Sequence, residues 1–243
     1  MSFPYDCTDP GGRRLGLEAA VSGVQNGLLV VLPVESSYAL ACDAFSVPGV
    51  ADLLAVKGDP ARRPPAVAVP TVRTLDGLAA DVPPATRALA EAFWPGMLTI
   101  VCTAQPTLQW DLGDSRGTVS LRMPVHPLAL ELLARTGPLA FTTAAPTGTP
   151  APRDCEAARE LLGDDVGVYL DAGPAPWSAT STVVDGRGEV PRVVRLGGVT
   201  IEELRSVVPD VDVPAALLQP DDAARHEPDD VADRAQRQPE GAG

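Results

Sequence analysis

Five cations and five hydroxyls are the groups of this chain with the types and spacing to do chemistry. Lys57, Arg62, Arg63, Arg122 and Arg195 supply the positive charge that a polyphosphate and a carboxylate both require. Ser36, Ser37, Thr142, Thr143 and Ser181 supply neutral donors in turns or at strand ends. They fall in short stretches: Pro33-Val-Glu-Ser-Ser-Tyr38, Lys57-Gly-Asp-Pro-Ala-Arg-Arg-Pro64, Thr118-Val-Ser-Leu-Arg-Met-Pro124, Thr142-Thr-Ala-Ala-Pro-Thr-Gly148, Ser181-Thr-Val-Val-Asp185 and Arg192-Val-Val-Arg-Leu-Gly-Gly198. Lys57 is the single lysine among nineteen basic residues, and a guanidinium does not reproduce its compact point charge.

Each group also has a structural reading. Arg62 and Arg63 lie in a proline-rich loop, where solvation is the ordinary fate. Arg122 and Arg195 sit among apolar strand neighbours and must reach a carboxylate, a ligand or the sheet edge. Turn hydroxyls commonly cap backbone amides. Glu35 is either a general base or a solvated turn carboxylate. The sequence has no GxxxxGK[ST] loop, no GxGxxG opening a helix and no GxSxG elbow, which lowers P-loop hydrolysis, dinucleotide oxidation and serine hydrolysis respectively.

Elements to position these groups follow from the hydrophobic pattern. Helices are expected at 13–26, 47–56, 84–92, 126–136 and 154–163 and at the IEELRSVV stretch. Strands are expected at 28–33, 66–70, 97–104, 118–124 and 138–145, with three more in VGVYLDAG, ATSTVVD and PRVVRLGG. The stretch after Pro33 reads as a polar turn followed by small residues. Recurring strands and helices give an α/β fold, one twisted mixed sheet with helices packed on its faces, whose ligands gather at strand ends. The domain is expected over residues 1–208, with 209–243 as an acidic, disordered tail carrying nine acidic side chains and three arginines.

The chain has 243 residues and a formal charge of −13, which disfavours a broad surface for bare nucleic acid but allows a local basic pocket. Four cysteines, none in a CxxC pair, read as buried thiols, and two histidines are too few for zinc. No apolar run suits a membrane span, and the first ten residues lack a signal-peptide pattern, so a cytoplasmic location is expected.

In this order, LLVVLP with its turn to Tyr38, Lys57-Gly58, FWPGMLTIV, TVSLRMPVHP, GPLAFTTAA, YLDAG, STVVD and VVRLGG resemble the YrdC-like proteins, the threonylcarbamoyl-AMP synthases of tRNA modification. The resemblance spans about residues 10–205. It implies a YrdC-like domain that joins L-threonine, bicarbonate and ATP, with Mg2+, into threonylcarbamoyl-AMP and pyrophosphate. It also implies a handover to downstream tRNA-modifying proteins, with at most weak RNA binding and no membrane. By resemblance Lys57 sits on the nucleotide phosphates; Arg62 or Arg63 is expected to replace the family's second cation there, and Thr143 keeps the hydroxyl of its Ser-Ala-Asn element. Thr118 and Arg195 hold the nucleotide, Arg122 clamps the threonine carboxylate, and Ser36 and Ser181 contact the amino acid. No protein metal ligands are expected.

The chain departs from the family where Pro-Thr-Asp-Thr-x-Tyr-Gly becomes Pro33-Val34-Glu35-Ser36-Ser37-Tyr38-Ala39. Lys-x-Arg becomes Lys57-Gly58-Asp59, and Ser-Ala-Asn becomes Thr143-Ala144-Ala145. These losses leave two alternatives: a catalytically inactive nucleotide- or RNA-binding paralogue, and carbamoyl adenylation of a different amino acid.

Overall fold

The computed structural model describes residues 4–59, 63–176 and 179–218. Its strands are β1 Tyr5–Asp6, β2 Val30–Pro33, β3 Tyr38–Asp43, β4 Ala66–Ala68, β5 Ala79–Ala80, β6 Leu98–Ala104, β7 Thr118–Arg122, β8 Leu139–Thr143, β9 Val168–Asp171, β10 Thr182–Asp185 and β11 Arg192–Arg195. Its α-helices are α1 Pro10–Gln25, α2 Val47–Lys57, α3 Thr74–Leu78, α4 Pro84–Phe93, α5 Pro127–Thr136, α6 Cys155–Leu162, α7 Ile201–Val207 and α8 Ala215–Leu218. The strands join in one mixed sheet, ordered β1-β9-β2-β3-β8-β4-β7-β6-β10-β11, with β5 paired to β6.

Helix ends fall where the sequence supplies caps. Asp9, Ser46, Asp154 and Thr200 each accept an amide from the first turn that follows, and proline occupies the first turns of α1, α2, α4 and α5. On the sheet, successive side chains alternate between faces. Tyr38, Leu40, Cys42, Ile100, Val119, Leu121 and Val184 meet helical residues such as Leu53, Leu89, Ala158 and Leu204 in one core. Val30, Leu32, Ala39, Ala41 and Phe141 face the other way, under Leu17, Ala20 and Val24 of α1 and Leu128, Leu132 and Leu133 of α5. Farther along this second face, the alternation brings Ala66, Thr99, Ser120, Arg122 and Val183 to the wall of a cavity.

Three expectations are corrected. The residues after Pro33 are a strand beyond a four-residue turn: β3 lies mid-sheet between β2 and β8. Its Tyr38 is fully buried, donates to the Gly173 carbonyl at 2.7 Å and accepts from the Ala172 amide at 3.0 Å. Glu35 is buried rather than solvated, only 2% exposed. The folded unit continues past 208: Val211 is buried, and Asp212 joins the edge of β11 through the Val193 amide at 2.8 Å. Apolar Val211, Val213 and Leu217 explain that packing, since they lie against the main core. The remainder of the expected tail, residues 219–243, lies outside the described residues, as does Arg62.

Candidate active site

Two cavities of about 360 Å³ each abut at the end of β8, the first beside the end of α2 and the second on the open part of the second sheet face. They share Pro64, Pro65, Thr142, Thr143 and Arg195. Lys57, Asp59, Arg63 and Thr147 belong to the first, and Val34, Ser36, Thr99, Ser120, Arg122 and Ser181 to the second. Among the described residues, four cations on these walls face a single lining carboxylate, Asp59, so these walls are positive inside an acidic protein. Local placement of charge overrides net charge here.

Lys57 is the last residue of α2, and Gly58 turns the chain in the left-handed region, with φ of 59°. That reversal suits glycine and leaves the Lys57 ammonium at the end of β8. There it donates to the Thr143 hydroxyl at 2.8 Å, to the Thr143 carbonyl at 3.2 Å and to the Ala145 carbonyl. Partial burial pulls its pKa below the usual lysine range; Asp59 opposes that shift and Arg63 adds to it. The chain returns the contact, because the Lys57 carbonyl accepts from the Thr147 amide at 2.8 Å. Where the sequence has lost a side-chain amide at 145, the backbone carbonyl of Ala145 still takes part.

Asp59 is paired on the same wall as Lys57. Its carboxylate accepts from Arg63 Nε at 2.6 Å, while the Arg63 side chain stays 70% exposed. Arg195 reaches the shared wall through a bulge. Val184 pairs with Val193 and Val183 with Arg195, leaving Val194 as the extra residue. Opposed antiparallel residues share a face, so the bulge moves Arg195 from the packed face of Val193 to the cavity face of Val183. Its guanidinium donates to the Ser181 carbonyl at 2.8 Å and hydroxyl at 3.1 Å. Ser181 Oγ in turn accepts from Thr99 at 3.0 Å.

Arg122 is buried, with its side chain 7% exposed, and pairs with Glu35 through Nη2. Its Nε donates to the Gly96 carbonyl at 3.1 Å. Arg122 also lines the second cavity. Burial and the neighbouring charge of Arg195 pull Arg122 down to about 10, which still leaves it cationic at neutral pH. Glu35 supplies the anion that a buried guanidinium needs.

Of the residues expected from sequence, Lys57, Arg63, Thr143, Arg195, Ser36, Arg122 and Ser181 come together here. Thr118 does not: it shares the face of Ser120 and Arg122 but lines neither cavity, and its hydroxyl donates to the Ser115 carbonyl at 2.7 Å. Thr99, Ser120, Thr147 and the Glu35 partnership were missed. Period-two alternation back from Arg122 points to Ser120, and the spacing of four between Asp59 and Arg63 was the signal for their pair.

A hydroxyl-rich, cationic double cavity on a mixed α/β sheet has the lining of a site for anionic small molecules. The Sua5/YciO/YrdC family model, described as "Telomere recombination", matches residues 23–197, and the chain belongs to this family. A Mycobacterium tuberculosis protein named "Putative threonylcarbamoyl-AMP synthase" is 47% identical over 208 residues, covering 86% of this chain and 96% of that protein. The Bacillus subtilis "Threonylcarbamoyl-AMP synthase" is 32% identical over 191 residues, 78% of this chain and 55% of that protein. A crystal structure of Pyrococcus abyssi Sua5 complexed with L-threonine superposes with a TM-score of 0.77 at 28% identity, covering 85% of this chain and 60% of that one. The chain thus spans nearly all of the mycobacterial relative and less than two thirds of the other two.

Proposed function

We infer that this chain is a threonylcarbamoyl-AMP synthase, a transferase that supplies tRNA modification. L-Threonine and bicarbonate condense to a carbamate with loss of water. A carbamate oxygen attacks the α-phosphorus of ATP, and the bond to the leaving pyrophosphate breaks. The product is threonylcarbamoyl-AMP.

The observation that carries this reading is the pair of abutting cavities with Arg195 on their common wall. Lys57, Arg63 and Thr143 suit the triphosphate. Arg122, Ser36 and Ser181 suit the amino acid, whose carboxylate takes Arg122. Fixed cations at the boundary meet the charge that grows on the non-bridging and leaving oxygens, and side-by-side binding supplies the positioning. Mg2+ enters with ATP as part of the substrate. Such an ion keeps several waters and needs only one or two carboxylates beside phosphate oxygens. Asp59, engaged by Arg63, is the carboxylate on these walls, and no cluster of three or more His, Cys, Asp or Glu stands together among the described residues.

Downstream, the adenylate would pass to a protein that transfers the threonylcarbamoyl group to tRNA. The acidic surface fits a protein partner better than direct RNA capture. No helix among the described residues is long and apolar enough to cross a membrane, and a cytoplasmic location fits a supply of ATP and tRNA. The test is pyrophosphate release by the purified chain. It should require L-threonine, bicarbonate and Mg–ATP together; release independent of threonine, or none above a Lys57→Ala control, would overturn the reading.

A further inference from the structure

Asp59 is an odd residue for the wall of a phosphate site. A free carboxylate a few ångström from a triphosphate repels it, and this one lies just past the C-terminal end of α2, where the helix dipole is also negative. Yet its side chain is 9% exposed and hydrogen-bonded, so the fold has committed it to a place. Its contact with Arg63 runs through Nε, at 2.6 Å, rather than through the terminal nitrogens. A guanidinium held by Nε has one edge fixed and its outer Nη groups aimed away from the anchor, the arrangement in which arginine engages phosphate through a planar fork. Arg63 is largely exposed and lines the same cavity as Lys57. The charges of both Asp59 and Arg63 are felt at the Lys57 ammonium, so the three groups share one electrostatic neighbourhood.

We propose that Asp59 is a positioning residue that holds Arg63 by Nε so that its Nη groups meet the polyphosphate beside Lys57. The inference rests on the nucleotide reading above and adds to it a role for the one carboxylate on the cavity wall among the described residues. The cost of placing an anion there is offset by fixing a cation whose side chain would otherwise wander in solvent. It predicts a change of sign that no merely repulsive or merely structural carboxylate gives. With Arg63 present, losing the Asp59 charge frees the guanidinium and weakens phosphate binding. With Arg63 gone, losing the same charge removes repulsion from the phosphate site and strengthens binding.

The experiment is titration calorimetry of Mg–pyrophosphate and Mg–ATP into the full chain and its Asp59→Asn, Arg63→Gln and doubly substituted forms. Thermal midpoints are recorded for each, since an ion pair with one exposed partner contributes little to stability. Arg63→Gln should weaken pyrophosphate binding roughly 10–100-fold, the size of a charge-assisted contact. Asp59→Asn alone should weaken it several-fold. Added to Arg63→Gln, it should instead tighten binding roughly two- to fivefold, as expected for removing one nearby unit charge in a solvated site. Tightening in both backgrounds would make Asp59 a bystander and overturn the proposal, as would an Arg63→Gln form that binds like the parent. If the parent binds and turns over normally while either of those results holds, only the positioning role fails. If the parent binds neither ligand, the nucleotide reading fails with it.

Discussion

Substituting Glu35 by alanine is the perturbation for which the structure gives the sharpest expectation. Glu35 and Arg122 are an ion pair with side chains only 1% and 7% exposed. Burial and Arg195 lower Arg122 to about 10, and a guanidinium keeps its proton in proteins, so Arg122 stays a cation at pH 7.5 when Glu35 is removed. Removing the carboxylate strands that cation, with Gly96 carbonyl and whatever solvent enters as its remaining support. Breaking a buried pair on one side costs about 3–5 kcal/mol, whereas replacing both partners by apolar groups is often neutral. A domain of this size shifts by roughly 2–4 °C per kcal/mol. Glu35→Ala should therefore lower the melting midpoint by roughly 6–20 °C, and Glu35→Ala combined with Arg122→Met should regain most of that loss. Circular dichroism melts of the parent, both single forms and the double form close the cycle. A Glu35→Ala midpoint within 2 °C of the parent (about 1 kcal/mol or less), or losses that simply add in the double form, would refute the buried-pair argument.

Other outcomes follow from the same geometry. Lys57→Met keeps much of the side-chain volume and removes the ammonium that contacts Thr143 and Ala145; pyrophosphate release should fall roughly 10–150-fold, the size of a lost charged hydrogen bond, as a coupled phosphate assay would record. His126 caps α5 by accepting the Leu128 amide at 3.3 Å, and burial together with Arg13 lowers its pKa below 6.5. Its stabilising contribution is present above pH 6.5 and is lost as pH falls through the lowered folded value, because protonation costs the acceptor and sets a cation at a helix N-terminus. His126→Asn keeps a cap without titrating, so urea unfolding at pH 7.5, 6 and 5 should show a shallower acid loss than in the parent; parallel slopes would contradict it. Arg195→Lys retains charge but not the two-pronged contact to Ser181, and should raise the KM for ATP about tenfold in steady-state kinetics.

Much of the fold was legible because its elements are punctuated. Caps at Asp9, Ser46 and Asp154 and prolines at first turns mark helices whose apolar spacing is unbroken. Strand β3 was hidden for a physical reason: mid-sheet strands are covered on both faces, and in Tyr-Ala-Leu-Ala-Cys-Asp the inward alternation alternates large with small rather than apolar with polar. The cations of the site were legible as types, since a lone lysine at a helix end and arginines among apolar neighbours stand out. Their partners were not. The bulge at Val194 that brings Arg195 to the cavity face depends on register, which single-strand patterns do not carry. The burial of Glu35 depends on an arginine 87 residues away. Asp59, which reads in sequence as a charge reversal, pairs with Arg63 in the structure.

The account stands most directly on a crystal structure of the chain with L-threonine and a non-hydrolysable Mg–ATP analogue. It predicts both ligands bound at once: the triphosphate within hydrogen-bond reach of Lys57 Nζ and Arg63, the amino-acid carboxylate on Arg122, and Arg195 between them. A nucleotide seated away from Lys57, or threonine and triphosphate competing for one cavity, would contradict it.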